Sequence, residues 1–153
     1  MIKEMELIDY NVSAFNFMLN DDYDFDNPSG TTMDLGLAVD IIFSSVDKTG
    51  YVRLQCEVGS LENPESPFFL RVEMLNIFNF KLKAGQFKAN QSDITKMRKM
   101  LKTEALDTAY PYLRQIVNTL SAQSNSFPGY NLPILSLSEE IKQSGNINFI
   151  DAN

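Results

Sequence analysis

The chain has 153 residues, a formal net charge of −7 and a sequence pI near 4.5, with 44% hydrophobic and 22% charged residues. These proportions are ordinary for one globular domain that builds its core without a disulfide or metal staple, and the acidic balance argues against binding nucleic-acid phosphate or an anionic membrane surface. There is no histidine, and Cys56 is the one cysteine, so the commonest general base, an internal disulfide and a thiolate zinc cluster are all excluded.

Residues 5–18 alternate imperfectly. The apolar phase moves from Ile8, Tyr10 and Val12 to Phe15 and Phe17, which predicts a strand with a bulge. This opening is not a secretory leader, and with a free thiol it predicts a cytoplasmic protein. No apolar run approaches the ~20 residues of a membrane-spanning helix. Thirteen residues, 20–32, then form a connection too long for a hairpin, so a crossover is expected.

From Met33 the odd positions Leu35, Leu37, Val39, Ile41 and Phe43 are apolar. Asp47-Lys48-Thr49-Gly50 is a tight turn in which Gly50 is available for a left-handed conformation. Val52, Leu54, Cys56 and Val58 then share one face of a second strand, which completes a hairpin. Asn63-Pro64 and Ser66-Pro67 mark a loop. A long strand follows, with Phe68, Leu70, Val72, Met74, Phe78 and Phe80 in phase; Leu75 and Ile77 on its other face suggest partial cover on both sides.

The second half has helical spacing. Ser92 is the expected N-cap before Ile94, Met97, Met100 and Leu101. Leu106, Ala109, Tyr110, Leu113, Ile116, Val117 and Leu120 continue the apolar stripe. Pro111 within it predicts a kink or a helix start near Tyr110. The polar run Ser121-Ala122-Gln123-Ser124-Asn125-Ser126 ends this helix. A proline-bracketed loop follows, then a short helix near 138–142 and a frayed end. The expected fold is α+β: a four-stranded antiparallel sheet, then helices packed on one face, in a single domain over 1–153. Strands occupy about 3–83, and helices with the Pro-rich loop about 92–145.

Chemistry-bearing constellations are few. Asp21, Asp22, Asp24 and Asp26 imitate the start of a calcium loop, but Asn27 stands at the glycine position and Met33 at the closing glutamate. No metal or other cofactor is therefore expected. Glu139-Glu140 and the pair Glu62 and Glu65 read as solvated charges. No Gly-x-Ser-x-Gly elbow or phosphate loop is present, so the chain does not read as an enzyme. Lys96, Arg98, Lys99 and Lys102 read as a solvated helix face balancing Glu104 and Asp107. Met97 and Met100 read as core packing or a helix interface.

The segment 106–137 resembles SecB, the protein-export chaperone family. The residues that carry the resemblance are Pro111-Tyr112-Leu113-Arg114 in the main helix, then Phe127-Pro128, Asn131-Leu132 and Pro133 in the loop. Ile77-Phe78-Asn79-Phe80 sits where that family's last strand ends in a similar element. The resemblance implies an ATP-independent holdase for non-native polypeptides, including preproteins for Sec-dependent export. SecB-like proteins also serve as chaperones dedicated to an antitoxin. The family's acidic position toward the SecA motor falls at Glu73.

The residues themselves leave a non-chaperone interaction module open, with the Pro-rich loop as a core plug. On the chaperone reading, Tyr23, Phe25, Phe127, Tyr130, Leu132, Ile134 and Leu135 line an apolar client groove. Asp34, Asp40, Glu57 and Glu73 share an outward sheet face that would dock a basic partner such as the SecA tail. A homo-oligomer is expected from an unpaired sheet edge and a Met-rich helix, and the resemblance makes it a dimer of dimers.

Overall fold

The protein is described by a computed structural model over residues 2–26, 33–123 and 129–152. Four strands form first: β1 (Ile2–Leu19), β2 (Leu35–Ser44), β3 (Thr49–Gly59) and β4 (Phe68–Leu82). Three helices follow: α1 (Gln91–Lys102), α2 (Glu104–Ser121) and α3 (Leu137–Ser144). A fifth strand, β5 (Ile147–Asp151), comes last. The sheet order is β1-β4-β3-β2-β5, so the connection from β1 to β2 crosses over, as its length predicted.

The hairpin of β2 and β3 forms in the register set by its alternation, with Val39 opposite Leu54 and Ile41 opposite Val52. Lys48, not Gly50, takes the left-handed conformation, at φ 56°. Gly50 is needed for another reason. A Cβ there would lie 2.5 Å from Leu101 Cδ2, so the glycine lets α1 approach the sheet.

The predicted irregularity of β1 is real. Its register against β4 shifts between Leu7 and Asp9 and again between Val12 and Ala14. Each shift resets the alternation, so Leu7, Tyr10, Val12, Phe15 and Phe17 all lie opposite inward residues of β4.

The helices cover the face carrying Ile41, Phe43, Val52, Leu54, Phe68, Leu70, Met74 and Phe78, all fully buried. Each such side chain contributes about 1.5–3 kcal/mol by leaving water. Asn76 is buried among them; its amide donates to the Val52 carbonyl at 3.1 Å.

Helix boundaries differ from expectation. The cap of α1 is Asn90, whose side chain accepts from the Asp93 N–H while Asp93 returns a bond to Asn90, a reciprocal box that Ser92 cannot make from inside the helix. The break between helices falls at Thr103, where φ is −125° and ψ −84°. Pro111 lies inside α2, seven residues beyond its start.

The expected frayed end is instead β5, which makes the sheet five-stranded. It runs parallel to β2, with Val39 opposite Ile147 and Ile41 opposite Phe149. Gly145, left-handed at φ 73°, ends α3 and turns the chain back to the sheet edge. Ile147 and Phe149 then pack against the core, and the Phe149 ring lies 6.1 Å from that of Phe43.

Candidate functional site

Among the described residues, β1 carries a run of exposed apolar side chains: Ile8, Tyr10, Val12, Phe15, Met18 and Leu19. This edge strand reaches beyond the cover of the helices, so residues on its inward face stay accessible. Phe15 is 60% exposed, and Tyr10 and Val12 are exposed too. The near flank of α2 supplies Tyr112, whose ring stacks 4.6 Å from that of Tyr10, together with Ile116 and Leu120. Tyr10, Val12, Phe15, Ile116 and Leu120 line an open groove of about 370 Å³. None of these five residues is among those that the sequence marks for client binding. The signal was the phase shift in residues 8–17, which collects aromatics on one side of an edge strand.

The Pro-rich loop occupies the opposite flank of α2 and is strapped to it. The Tyr110 hydroxyl donates to the Pro133 carbonyl at 2.8 Å, and Arg114 Nε donates to the Leu132 carbonyl at 3.1 Å. The Asn118 amide donates to Asn131 Oδ1 at 2.8 Å, and the Tyr130 N–H donates to Ser121 Oγ at 2.6 Å. Residues 110, 114, 118 and 121 fall three or four apart, so one helix face holds the whole segment extended. Leu132, 1% exposed, is therefore core and not groove lining. Tyr130 and Leu135 are half-buried against the core, whereas Ile134 is 88% exposed. Ile134 and Leu135 border a cleft of about 310 Å³ with Tyr110, Pro111 and Arg114. Phe127 and Pro128 lie outside the described residues, as do 27–32 of the crossover and 124–126 of the polar run.

On the crossover, Tyr23 is buried and Phe25 half-buried, with their rings 4.8 Å apart edge to face. Asn20 anchors this segment by donating to the carbonyls of Asn63 at 2.8 Å and Ser66 at 2.9 Å.

Among solved structures, the chain is similar to the Mycobacterium tuberculosis Rv1957 SecB-like chaperone in complex with a ChAD peptide from the Rv1956 HigA1 antitoxin. The TM-score is 0.62 at 20% identity, over 86% of this chain and 88% of that one. The fold is SecB-like. A Streptococcus agalactiae protein of unknown function also matches, at TM-score 0.38 and 9% identity over 88% of this chain and 99% of that one. No protein-family model matches the chain, and no curated protein matches its sequence.

In this SecB-like sheet the outward positions of β2, β3 and β4 form one open face. Ala38, Gln55 and Glu73 lie side by side in register, as do Gly36, Glu57 and Arg71. Asp40, Glu57 and Glu73 fall on this face by register, and Asp34 lies just before β2, where its carbonyl accepts from the Gly59 N–H at 2.8 Å. Part of this charge is met locally: Asp40 lies 3.9 Å from Arg53, and the single Arg71 lies 3.8 Å from Glu57 and 2.8 Å from Glu73.

On the inward face, burial pushes the Cys56 thiol up to about 12, with Glu57 adding to the shift, so it is not a nucleophile at neutral pH. Among the described residues, no group of three or more Cys, Asp or Glu is placed to hold a metal ion, and no helix is long and apolar enough to cross a membrane.

Proposed function

We propose that this chain is an ATP-independent chaperone that holds an extended, non-native polypeptide, and that its principal client is an antitoxin. The observation that carries the reading is the fold shared with a SecB-like chaperone whose structure contains an antitoxin peptide. The groove between β1 and α2 supplies the chemistry. Apolar burial is non-directional and contributes about 25 cal/mol per Å², so two or three client side chains against Tyr10, Phe15 and Ile116 give several kcal/mol before ordering costs. Ile134, Leu135 and Tyr130 offer a second contact on the far flank of α2, and half-buried Phe25 a further one, while Tyr23 is buried and supports it.

The antitoxin role is preferred to general export because the solved SecB-like structure that shares the fold holds an antitoxin peptide, while Arg53 and Arg71 offset part of the acidity that a basic motor tail would use. The working form is a homo-oligomer, since β1 has no strand on its outer edge among the described residues and carries exposed Ile8 and Met18 outside the groove.

The test is light scattering of unfolding proteins without nucleotide. An antitoxin encoded beside this gene should be kept soluble at near-stoichiometric chaperone, and unrelated proteins only at excess. No suppression of any client refutes the chaperone reading. Equal suppression of all refutes the dedication. Phe15→Ser with Ile116→Ser should abolish capture while leaving the melting temperature within a few degrees.

A further inference from the structure

The basic run of α1, which reads from sequence as a solvated face, borders a sizeable open cleft. This cleft, about 680 Å³, lies between α1 and α3 and is lined by Arg98, Lys99, Lys102 and Lys142. Ile141 and Ile147 line it too, and Glu139 is its one acid. Four cations against one carboxylate is an inversion in a chain whose net charge is −7.

Two of the cations are held by β5. Arg98 bonds Asp151 at 2.9 Å, and the Lys102 ammonium lies 4.8 Å over the Phe149 ring. Lys99 and Lys142 have no carboxylate partner among the described residues. They extend from two different helices into one space, which local helix pairing does not require. A volume of this size is typical of a ligand site.

We propose that the cleft is a peptide subsite selective for a segment that carries carboxylates beside apolar side chains. This inference rests on the chaperone reading and gives it a sequence preference. Carboxylates would sit on Lys99 and Lys142, and apolar side chains on half-buried Ile147, with buried Ile141 forming the floor beneath. A small inorganic anion would leave that apolar lining unused. A nucleic-acid backbone would likewise leave the apolar lining unused and would bring its phosphates against Glu139. An extended chain also has a place to continue: the cleft reaches Gly145 and Ile147 at the start of β5, whose outer edge has no strand beside it among the described residues.

The experiment is fluorescence anisotropy on the intact protein with three probes. These are a labelled peptide alternating Glu or Asp with Leu and Phe, its Gln and Asn isostere, and a single-stranded oligonucleotide. The acidic peptide should bind about ten-fold tighter than the isostere at 50 mM salt, as two partly exposed charge pairs allow. Most of that preference should be lost at 300 mM. Lys99→Gln with Lys142→Gln, both at exposed positions, should erase the preference and leave isostere binding unchanged. Phe15→Ser should weaken both peptides alike and keep the preference.

Equal affinity for the two peptides, a preference that survives the double substitution, or tighter binding of the oligonucleotide overturns the proposal. Suppression of client aggregation with no acid preference would leave the chaperone reading standing and refute only the subsite. If neither peptide binds and no client is held in solution, both fail.

Discussion

Two residues of one loop should respond to substitution in opposite ways. Leu132 is 1% exposed and Ile134 is 88% exposed, although only Pro133 separates them. Leu132→Ala removes buried methyl groups from a site fixed on both sides, by Arg114 on its own carbonyl and Tyr110 on the next. Such a site collapses poorly, so the loss combines transfer and cavity terms, about 3 kcal/mol within the usual range of 2–5. For a chain of this length that lowers the melting temperature by about 6–12 °C. Ile134→Ser removes almost no buried area and should change stability by less than about 0.5 kcal/mol. Urea unfolding at fixed m-value measures both. If Leu132→Ala costs less than about 1 kcal/mol, the loop is not strapped to α2 as described and the core assignment is wrong. Client capture measured on the same variants separates the roles further: Ile134→Ser should weaken capture, while folded Leu132→Ala should retain it.

Gly50→Val should destabilise by about 1–3 kcal/mol, because its side chain meets Leu101 where α1 rests on the sheet; Gly50→Ala should cost less, since the obstacle is the end of a flexible side chain. Burial raises both the Cys56 thiol and the Tyr110 hydroxyl to about 12, so their neutral forms favour the folded state; this contribution is complete below pH ~9 and is lost as pH rises toward ~12. Urea midpoints should accordingly hold steady from about pH 7 to 8.5 and fall above it, and Cys56 should react with a disulfide reagent only at the rate of unfolding. Phe149→Ala should cost about 1–2 kcal/mol by removing a half-buried ring from beside Phe43, a value checked by the same denaturant titration; no measurable loss would mean that β5 is not docked.

Much of the sheet was legible because period-two alternation states which face is buried. Val39, Ile41, Val52 and Leu54 announced a hairpin, and the drift from Tyr10 to Phe15 announced the bulges in β1. The helix boundaries were less legible. Asn90 and Ser92 are both good caps by type, and only the reciprocal bond with Asp93 separates them. The break at Thr103 left no proline or glycine behind, whereas Pro111 drew attention to a position where α2 simply continues. β5 was missed because five residues carry little periodic signal and parallel pairing with β2 leaves no local trace. Sequence marked the apolar residues of the Pro-rich loop but could not divide Tyr130, Leu132, Ile134 and Leu135 between core and solvent. That division depends on Tyr110, Arg114, Asn118 and Ser121 lying along one face of α2 and holding the loop in a single rotation.

The parallel strand β5 also constrains the order of assembly. Its partner β2 lies roughly a hundred residues earlier in the chain, with Val39 opposite Ile147. The hairpin and β4 can nucleate through contacts close in sequence, but this last pairing must close a loop that contains every helix. Until it does, the outer edge of β2 is bare and Lys102 and Arg98 lack Phe149 and Asp151. A nascent copy would therefore present an open strand edge at the very place where the finished protein has its basic cleft. Closure of β5 should be the slow folding phase, and the step most exposed to mispairing with another newly made chain.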